Sequence, residues 1–261
     1  MLIATWNVNS LRVRLPHVLD WLAANPVDVI GLQETKLTND AFPSAEFEAA
    51  GWNWVHNGQK TYNGVAILSR HPLTDIHRDL PGFEDEQKRV IAATINTPEG
   101  PLRYVDVYVV NGQAIGSEKY DYKLRFLASL RDYLRDELAA HPALAVGGDY
   151  NIAPGIGDTH DPAVWEGNIL CSEPERAGFQ ALLDLGLTDA FRLHEQPEKT
   201  FTWWDYRAAG FRRNLGLRID HLLLSAPLAA RCTATRVDVT PRKLERPSDH
   251  APFLAEIGAD H

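Results

Sequence analysis

The sequence predicts an α/β (α+β) fold, with mixed or antiparallel β-sheets covered by helices. Short apolar or alternating runs recur along the chain and end in turn residues, as strands do. The stretch RVIAATINTPEGPLRYVDVYVV at residues 89–110 reads as two strands joined by a Pro-Glu-Gly turn. Strand and helix patterns interleave throughout, and no linker rich in Gly, Ser or Pro divides them. We therefore expect one domain over residues 1–261.

The strand predictions rest on apolar runs of a length that suits buried strands. In chain order these runs are LIATWNV (2–8), VDVIGLQE (27–34), GVAILS (64–69), RVIAATI (89–95), LRYVDVYVV (102–110), ALAVGG (143–148), FTWW (201–204), RIDHLLLS (218–225) and HAPFLAEI (250–257).

Three segments between these runs predict helices. Two have apolar stripes at helical spacing, the second on a helix at about 118–138. The stripes are Leu15, Val18, Leu19 and Leu22, and then Leu127, Leu130, Leu134 and Leu138. The third helix has a defined start, because Ser172 and Glu175 fit a capping box with Pro174 in the first turn.

The net charge of −9 argues at first against a nucleic-acid partner. The charge is uneven, however: residues 199–246 hold ten basic and four acidic residues, which makes that segment +6 and the rest −15. A basic face of this kind could hold a phosphate backbone, although a solvated surface explains it as well.

Composition also bears on location. No apolar run is long enough to span a bilayer, and the first residues lack the basic region of a signal peptide. Cys171 and Cys232 lie far apart and fit no metal-binding spacing. We therefore expect a cytoplasmic protein without a structural disulfide and without a membrane partner.

Polar side chains recur where the predicted strands stop. They are Asn7 and Asn9, Glu34, Tyr108 and Asn111, Asp149 and Asn151, Asp220, and Asp249 with His250. Since alternate residues of a strand share a face, Asp149 and Asn151 should point the same way.

Each of these residues alone has a structural explanation. Asp and Asn beside Gly and Pro usually form turns, and Glu34 alone would contact solvent. Asp220 lies inside an apolar strand and needs a partner, for which His250 is a candidate. An Asp–His pair is a recurring catalytic device and also a common structural pair, so both interpretations stay open here.

The set as a whole indicates phosphate ester hydrolysis. Several oxygen ligands with no Cys and few His suit Mg²⁺ or Mn²⁺ better than zinc. A bound divalent ion neutralises phosphoryl charge, a carboxylate takes a proton from water, and a cationic His with amide donors holds the remaining oxygens.

The chain resembles the endonuclease/exonuclease/phosphatase superfamily, and within it the exonuclease III type of apurinic/apyrimidinic endonuclease. The motifs occur in family order from residue 3 to residue 253. They are WNVNSLR, LQETK, NGVAILSR, YVVNG, GDYNIAP, FTWWDYR, LRIDHLLLS and PSDHAPF. The resemblance implies a four-layer sandwich of two packed sheets with helices outside. It also implies a Mg²⁺-dependent nuclease, with Mn²⁺ as a substitute.

The resemblance also assigns the metal and water residues. Glu34 resembles the principal metal-binding carboxylate, with Asn7 and Asp249 near the same ion. Asp149 resembles the residue that activates or positions the attacking water, and Asn151 its partner in holding water and phosphate.

Further roles follow for the phosphate and the sugar. His250 resembles the phosphate-binding histidine, Asp220 the carboxylate that orients it, and Tyr108 the phenol near the scissile phosphate. Asn111 and Arg89 resemble contacts to the DNA backbone, as do Arg12 and Lys36. Trp203, Leu217 and Ile219 match positions that line a pocket for an extruded abasic sugar, although core packing also explains Leu217 and Ile219.

The expected substrate is duplex DNA with abasic sites or 3′ ends, cut by a monomer. Departures from the family pattern are mild: Ser10 stands where many relatives have Gly, and Asn111 where Gln is common. In the loop at 155–168, Asp158, His160 and Asp161 allow a second ion, but a solvated loop is the simpler interpretation.

Two alternatives remain. One is a family phosphodiesterase with another substrate, against which Trp203 and the LRIDH strand argue. The other is a non-catalytic nucleic-acid-binding regulator, which we would expect to lack the carboxylates of the metal site.

Overall fold

The computed structural model describes residues 1–259, so residues 260 and 261 of the predicted domain lie outside the described residues. Within that range the strands are β1 (Leu2–Asn7), β2 (Val29–Gln33), β3 (Asn53–Asn57), β4 (Val65–Ser69), β5 (Leu73–Arg78), β6 (Val90–Thr97), β7 (Gly100–Tyr108), β8 (Leu144–Asp149), β9 (Thr188–Asp189), β10 (Trp203–Trp204), β11 (Gly216–Leu217), β12 (Asp220–Leu224), β13 (Cys232–Val237) and β14 (Phe253–Ile257). The α-helices are α1 (Leu11–Ala24), α2 (Ser44–Ala49), α3 (Glu118–Ala140), α4 (Pro162–Trp165), α5 (Glu173–Leu183) and α6 (Ala226–Ala230).

Two six-stranded mixed sheets form the centre of the molecule. Their strand orders are β13-β14-β1-β2-β4-β3 and β5-β6-β7-β8-β12-β9, and β10 and β11 form a separate two-stranded ribbon. Each large sheet has one parallel pair, β1 with β2 and β7 with β8, and the chain between the paired strands carries α1 or α3. A parallel pair needs such a crossover, which explains why both long helices stand at these positions.

The layers follow from the alternation of apolar side chains along the strands. In β1, Ile3 packs between the two sheets, while Trp6 faces outward against α1. On the second sheet, Val146 packs outward with Leu130 of α3 and Phe179 of α5. The predicted fold of two mixed sheets flanked by helices is therefore confirmed.

Glycines in β8 allow close packing at the centre of the second sheet. A Cβ at Gly147 would lie 2.1 Å from the Tyr104 hydroxyl, and one at Gly148 would lie 2.1 Å from the carbonyl oxygen of Val107. These distances exclude any side chain, so the two glycines in AVGGDYN are required for packing before the chain reaches Asp149.

Every predicted strand lies on an observed one, and the three predicted helices are confirmed as α1, α3 and α5. The Ser172 side chain accepts a hydrogen bond from the backbone N–H of Glu175, and Glu175 closes the capping box. Five strands were not predicted: β3, β5, β13 and the two-residue strands β9 and β11. Among residues 1–259, no helix has both the length and the apolar composition needed to cross a membrane.

Candidate active site

Three polar side chains lie in one row across the second sheet. Tyr108 at the end of β7 is in register with Asp149 at the end of β8, and Asp149 is in register with Asp220 on β12. Residues in register on neighbouring strands share a face of the sheet. The strand register therefore brings a phenol and two carboxylates together.

Asp220 and His250 form a buried pair. The Nδ1 atom of His250 lies 2.9 and 3.1 Å from the two carboxylate oxygens of Asp220. Burial by itself lowers the pKa of His250, but the carboxylates of Asp220, Asp149 and Asp249 outweigh it and raise the pKa to about 10. His250 is therefore an imidazolium at neutral pH.

Asp149 is surrounded by polar neighbours. Its Oδ2 accepts a hydrogen bond from Nδ2 of Asn7 at 2.9 Å, and its Oδ1 accepts one from the backbone N–H of Asn151 at 2.9 Å. Burial raises the pKa of Asp149 to about 8, and the charge of Asp220 acts in the same direction. His250, whose Nε2 lies 3.7 Å from Asp149 Oδ2, opposes this rise. We call Asp149, Asp220 and His250 the carboxylate cluster.

Glu34 joins the carboxylate cluster from the other sheet. Asn7 Nδ2 donates to Glu34 Oε1 at 2.9 Å as well as to Asp149. Ligand atoms of Glu34, Asp149 and His250 lie within 4.8 Å of one another. Carboxylate oxygens suit a hard divalent cation, so the carboxyl groups of Glu34 and Asp149 fit a divalent metal beside Glu34. The Asn7 amide faces both groups with its Nδ2, while its Oδ1 accepts from the backbone N–H of Asn9.

Asp249 is held from two sides. Its Oδ1 accepts from Asn9 Nδ2 at 3.0 Å, and its Oδ2 accepts from the Trp203 indole N–H at 2.9 Å. Its Oδ1 lies 4.0 Å from Nε2 of His250. The structure therefore places Asp249 next to His250, and Trp203 both orients this carboxylate and forms part of the adjacent wall.

The turns that present these side chains are strained. Asn9, Glu34 and Asn151 have φ values of 43°, 52° and 49°, in the left-handed region. Ser10 has a φ of 85°, which explains why glycine is favoured there in the resembled family. Such conformations cost about 1–3 kcal/mol each and are concentrated at functional sites.

A cavity of about 360 Å³ opens above these residues. Glu34, Asp149 and His250 line its polar side, and Trp165, Ile169, Leu170, Trp203 and Ile219 line its apolar side. Leu217 is fully buried, in an apolar cluster with Ala153, Leu170, Cys171 and Ile219. The structure therefore places Ile219 and Trp203 in the apolar wall of the cavity. Leu217 packs against that wall and does not line the cavity.

A second groove of about 840 Å³ meets this cavity at Tyr108 and Asn111. The Arg89 guanidinium lines the groove and lies 4.8 Å from the centre of the Tyr108 ring. Burial raises the pKa of Tyr108 well above its ordinary value, and the charge of Glu34 reinforces the rise. The structure thus brings the predicted residues Tyr108, Asn111 and Arg89 together at one side of the site.

Asp158 in the loop at 155–168 belongs to a second buried polar cluster. Arg218, fully buried, donates from Nε to Asp158 at 2.7 Å and from Nη2 to Asp189 at 2.8 Å. Its Nη1 lies 2.9 Å from Nδ1 of His221. We call Arg218, Asp158, Asp189 and His221 the arginine cluster. The expectation of a solvated loop is therefore wrong for Asp158, which is an ion-pair partner.

Two further residues support the site: Lys36, which was predicted as a contact to the DNA backbone, and Ser248, which was not predicted. Lys36 pairs with Glu34 at 3.3 Å and donates to Asn9 Oδ1 at 2.7 Å. Ser248 Oγ donates to the Asn7 carbonyl oxygen at 2.7 Å and accepts from the His250 N–H at 3.2 Å. Ser248 lies in the PSDHAPF motif, so its place beside His250 was a usable signal.

The fold and this site define a class of phosphoester hydrolase with a carboxylate-rich, metal-compatible centre. A model of the endonuclease/exonuclease/phosphatase family matches residues 4–250. The chain is 40% identical to exodeoxyribonuclease III of Haemophilus influenzae, over 98% of this chain and 100% of the relative.

Two solved structures are also similar. The 3′ phosphatase NExo from Neisseria, bound to a product DNA hairpin, has a TM-score of 0.95 at 51% identity and covers 98% of this chain and 99% of its own. An AP endonuclease from Archaeoglobus fulgidus has a TM-score of 0.93 at 38% identity, covering 98% and 99%.

The chain therefore belongs to the endonuclease/exonuclease/phosphatase family. Within that family it is a DNA-repair nuclease of the exonuclease III type.

Proposed function

We propose that this nuclease is Mg²⁺-dependent, with Mn²⁺ as a substitute, and cuts duplex DNA on the 5′ side of abasic sites. We propose that it also removes nucleotides and blocking groups from 3′ ends. The observation that carries the proposal is the cavity, in which a carboxylate-rich side with one imidazolium faces an apolar wall. A cavity of about 360 Å³ is at the small end of ligand pockets, and one unstacked sugar with its phosphate suits it.

Glu34 would be the principal ligand of the metal, with Asn7 and Asp249 near the same ion. When bound, the ion neutralises charge on the phosphoryl oxygens and assists the leaving oxygen. Asp149, with a pKa of about 8, takes a proton from the attacking water in its ionised form, and Asn151 helps to hold that water.

The cation of His250 binds a phosphoryl oxygen through its Nε2–H, because Nδ1–H is held by Asp220. Tyr108 lies in register with Asp149, so its hydroxyl reaches the same phosphate. The positive charge on His250 then opposes the negative charge that develops on the phosphoryl oxygens in the transition state.

The proposed substrate is inferred from the apolar wall of the cavity. Trp203, Trp165 and Ile169 present apolar surface that suits the face of a deoxyribose without a base, while a paired nucleotide stays stacked in the duplex. Ile219 contributes packing, because it is only 1% exposed. The relatives support both activities, since one is an AP endonuclease and another a 3′ phosphatase. Asn111 and Arg89 would then contact the DNA backbone along the neighbouring groove.

The basic segment supports DNA binding less than its charge suggests. Of its ten cations, Arg218 and Arg242 are buried. Of the exposed cations, Arg207 lines the cavity and is paired with Asp205 at 2.6 Å. We further propose a monomeric enzyme with one catalytic domain over residues 1–261 that acts in the bacterial cytoplasm, in keeping with its similarity to a bacterial exodeoxyribonuclease III.

The test uses four labelled substrates: duplexes with an internal abasic site, a recessed 3′ end or a 3′-phosphate, and a single strand. Each is incubated with Mg²⁺ or with chelator. We expect cleavage of the duplexes only with Mg²⁺, and we expect Glu34→Gln to need a higher Mg²⁺ concentration. Failure of the wild-type protein to cut any duplex would contradict the proposal, and cleavage at 3′ ends alone would remove the abasic activity from it.

A further inference from the structure

Lys123 on α3 is fully buried and lies behind the site. Its ammonium group donates to Oε1 of Glu175 at 2.5 Å, to the carbonyl oxygen of Asn151 at 2.6 Å and to the carbonyl oxygen of Asn111 at 3.1 Å. All three donors of a lysine are therefore used. Two of the three acceptors belong to residues that line the cavity.

Glu175 is also fully buried, and both of its carboxylate oxygens accept hydrogen bonds. Its Oε2 accepts from the backbone N–H of Ser172 at 3.1 Å and from the Ser172 hydroxyl at 2.7 Å, which is the capping box of α5. Its Oε1 accepts, besides Lys123, the backbone N–H of Leu170 at 3.1 Å. The residue predicted as a helix cap therefore also holds part of the cavity wall.

The pair connects three separate segments at one point. These segments carry Asn111 after β7, Asn151 after β8, and Leu170 before α5. Asn151 and Leu170 have φ values of 49° and 71°. A leucine adopts the left-handed region only when its surroundings hold it there, so the hydrogen bond to Glu175 is a restraint on this part of the wall.

We propose that the buried Lys123–Glu175 ion pair is the positioning device of the site, which sets the distance between the Asp149–Asn151 turn and the wall at Leu170. The inference rests on the proposed function, because it concerns the geometry in which DNA is cut. Lys123 and Glu175 reach the substrate only through these backbone groups, so they are positioning residues and not catalytic ones.

The chemistry of the pair favours this role over simple stabilisation. Buried ion pairs are often no more stabilising than apolar residues of the same volume, because both charges lose their hydration. The pair instead fixes the positions of backbone groups, because the ammonium group and the carboxylate each hydrogen-bond to more than one of them. A displacement of about 1 Å in a catalytic group can cost two orders of magnitude in rate.

The chain offers a matched control on the same helix. Glu137, near the other end of α3, accepts from the buried Arg103 of β7 at 2.5 Å. This pair also joins α3 to the second sheet, and neither residue lines the active-site cavity. Glu137→Gln and Glu175→Gln are therefore the same change in two buried ion pairs of similar kind.

The experiment measures kcat and KM for cleavage of an abasic-site duplex and a 3′-phosphate duplex at saturating Mg²⁺, together with the Tm of each variant. We expect Glu175→Gln to lower kcat by about 10- to 100-fold with KM within threefold of wild type. Glu137→Gln should keep kcat within twofold of wild type, even if its Tm falls as much as that of Glu175→Gln. Lys123→Met, if it folds, should match Glu175→Gln, and the double variant should lose little more than either single variant.

A loss of kcat in Glu175→Gln that stays within threefold of the loss in Glu137→Gln would overturn the positioning role. An inactive wild-type protein would instead contradict the proposed function, and the inference would fall with it. An active wild type with an equally active Glu175→Gln variant would overturn only the inference.

Discussion

The strand β12 places two neighbouring residues in two different buried polar clusters. Asp220 faces the carboxylate cluster and pairs with His250, whereas His221 faces the arginine cluster and lies against Arg218. The pKa of His250 is raised to about 10 by carboxylates that outweigh its burial. Burial lowers the pKa of His221 to about 4, and the charge of Arg218 acts in the same direction.

The two clusters differ in how their charges and hydrogen bonds are balanced. In the arginine cluster Arg218 pairs with both Asp158 and Asp189, and Asp158 also pairs with Arg192 at 2.5 Å, so two cations match two carboxylates. Nε2 of His221 lies 2.8 Å from the carbonyl oxygen of Ile152. The carboxylate cluster crowds the two carboxyl groups of Asp149 and Asp220 around one imidazolium, with Glu34 close by, and it opens to the cavity. A closed cluster whose cations match its carboxylates stabilises a loop, while a cluster of crowded carboxyl groups with an open side is suited to bind a cation and act on a substrate.

The largest expected effect is on the carboxylate cluster. Asp149→Asn keeps the shape of the side chain and removes the base, so we expect kcat to fall by about 10³-fold, in the range for loss of a proton-transfer group. The rate is measured on an abasic-site duplex with Mg²⁺. Asp189→Asn in the arginine cluster is the matched control, and it should lower the Tm with little effect on kcat. Equal losses of kcat in the two variants would remove the distinction between the clusters.

Breaking the arginine cluster should act mainly on stability. Arg218→Met leaves the buried Asp189 without its cation and Asp158 paired only with Arg192. We expect the free energy of unfolding to fall by about 3–5 kcal/mol, as for other broken buried ion pairs. Urea unfolding followed by circular dichroism measures it. A change below about 1 kcal/mol, the scale of an exposed ion pair, would show that the cluster is not a stabilising unit.

A smaller effect is expected for the partner of His250. Asp220→Asn removes the first carboxylate that raises the pKa of His250, so we expect that pKa to fall and kcat at pH 8 to drop by about 10- to 100-fold. Nuclear magnetic resonance titration of the His250 ring follows the pKa with chelator present. An unchanged His250 titration would mean that Asp220 does not set its charge.

The smallest expected effect is the opposite pH dependence of the two histidines. His250 has a raised folded pKa, so its contribution to stability is complete below pH 6.5 and is lost as the pH rises toward 10. His221 has a lowered folded pKa, so its contribution is complete above pH 6.5 and is lost as the pH falls toward 4. Ring titrations of the metal-free protein check this: His250 should be protonated and His221 neutral at pH 7, and the same charge on both would contradict it.

Much of the fold was predictable because its strands are short, apolar and bounded by turn residues. The strands that were missed have other patterns: β5, with LTDIHR, is almost entirely exposed, and β13 reads CTATRV with only Cys232 buried. Edge strands of this kind are held by hydrogen bonds to one neighbour, and their sequences carry little apolar signal.

The site was predictable as a set of residue types and not as a geometry. Asp149 and Asn151 were expected to share a face, but Asn151 is left-handed and its Nδ2 donates to the Val109 carbonyl oxygen at 2.8 Å. Lys123 was invisible to sequence reasoning, because its partners lie 12, 28 and 52 residues away in the chain. Contacts of such long range are set by the packing of α3 on the sheet and by no local pattern.

The two cysteines of the chain have a consequence for the conditions in which the enzyme works. Cys171, in the apolar cluster behind the wall, is almost fully buried, and burial raises the pKa of its thiol to about 11. Cys232 is also buried, and burial raises the pKa of its thiol. Peroxide attacks thiolates, so neither thiol is a ready target. We therefore expect peroxide to leave both thiols unmodified, a tolerance that suits a repair enzyme when its substrate is most abundant.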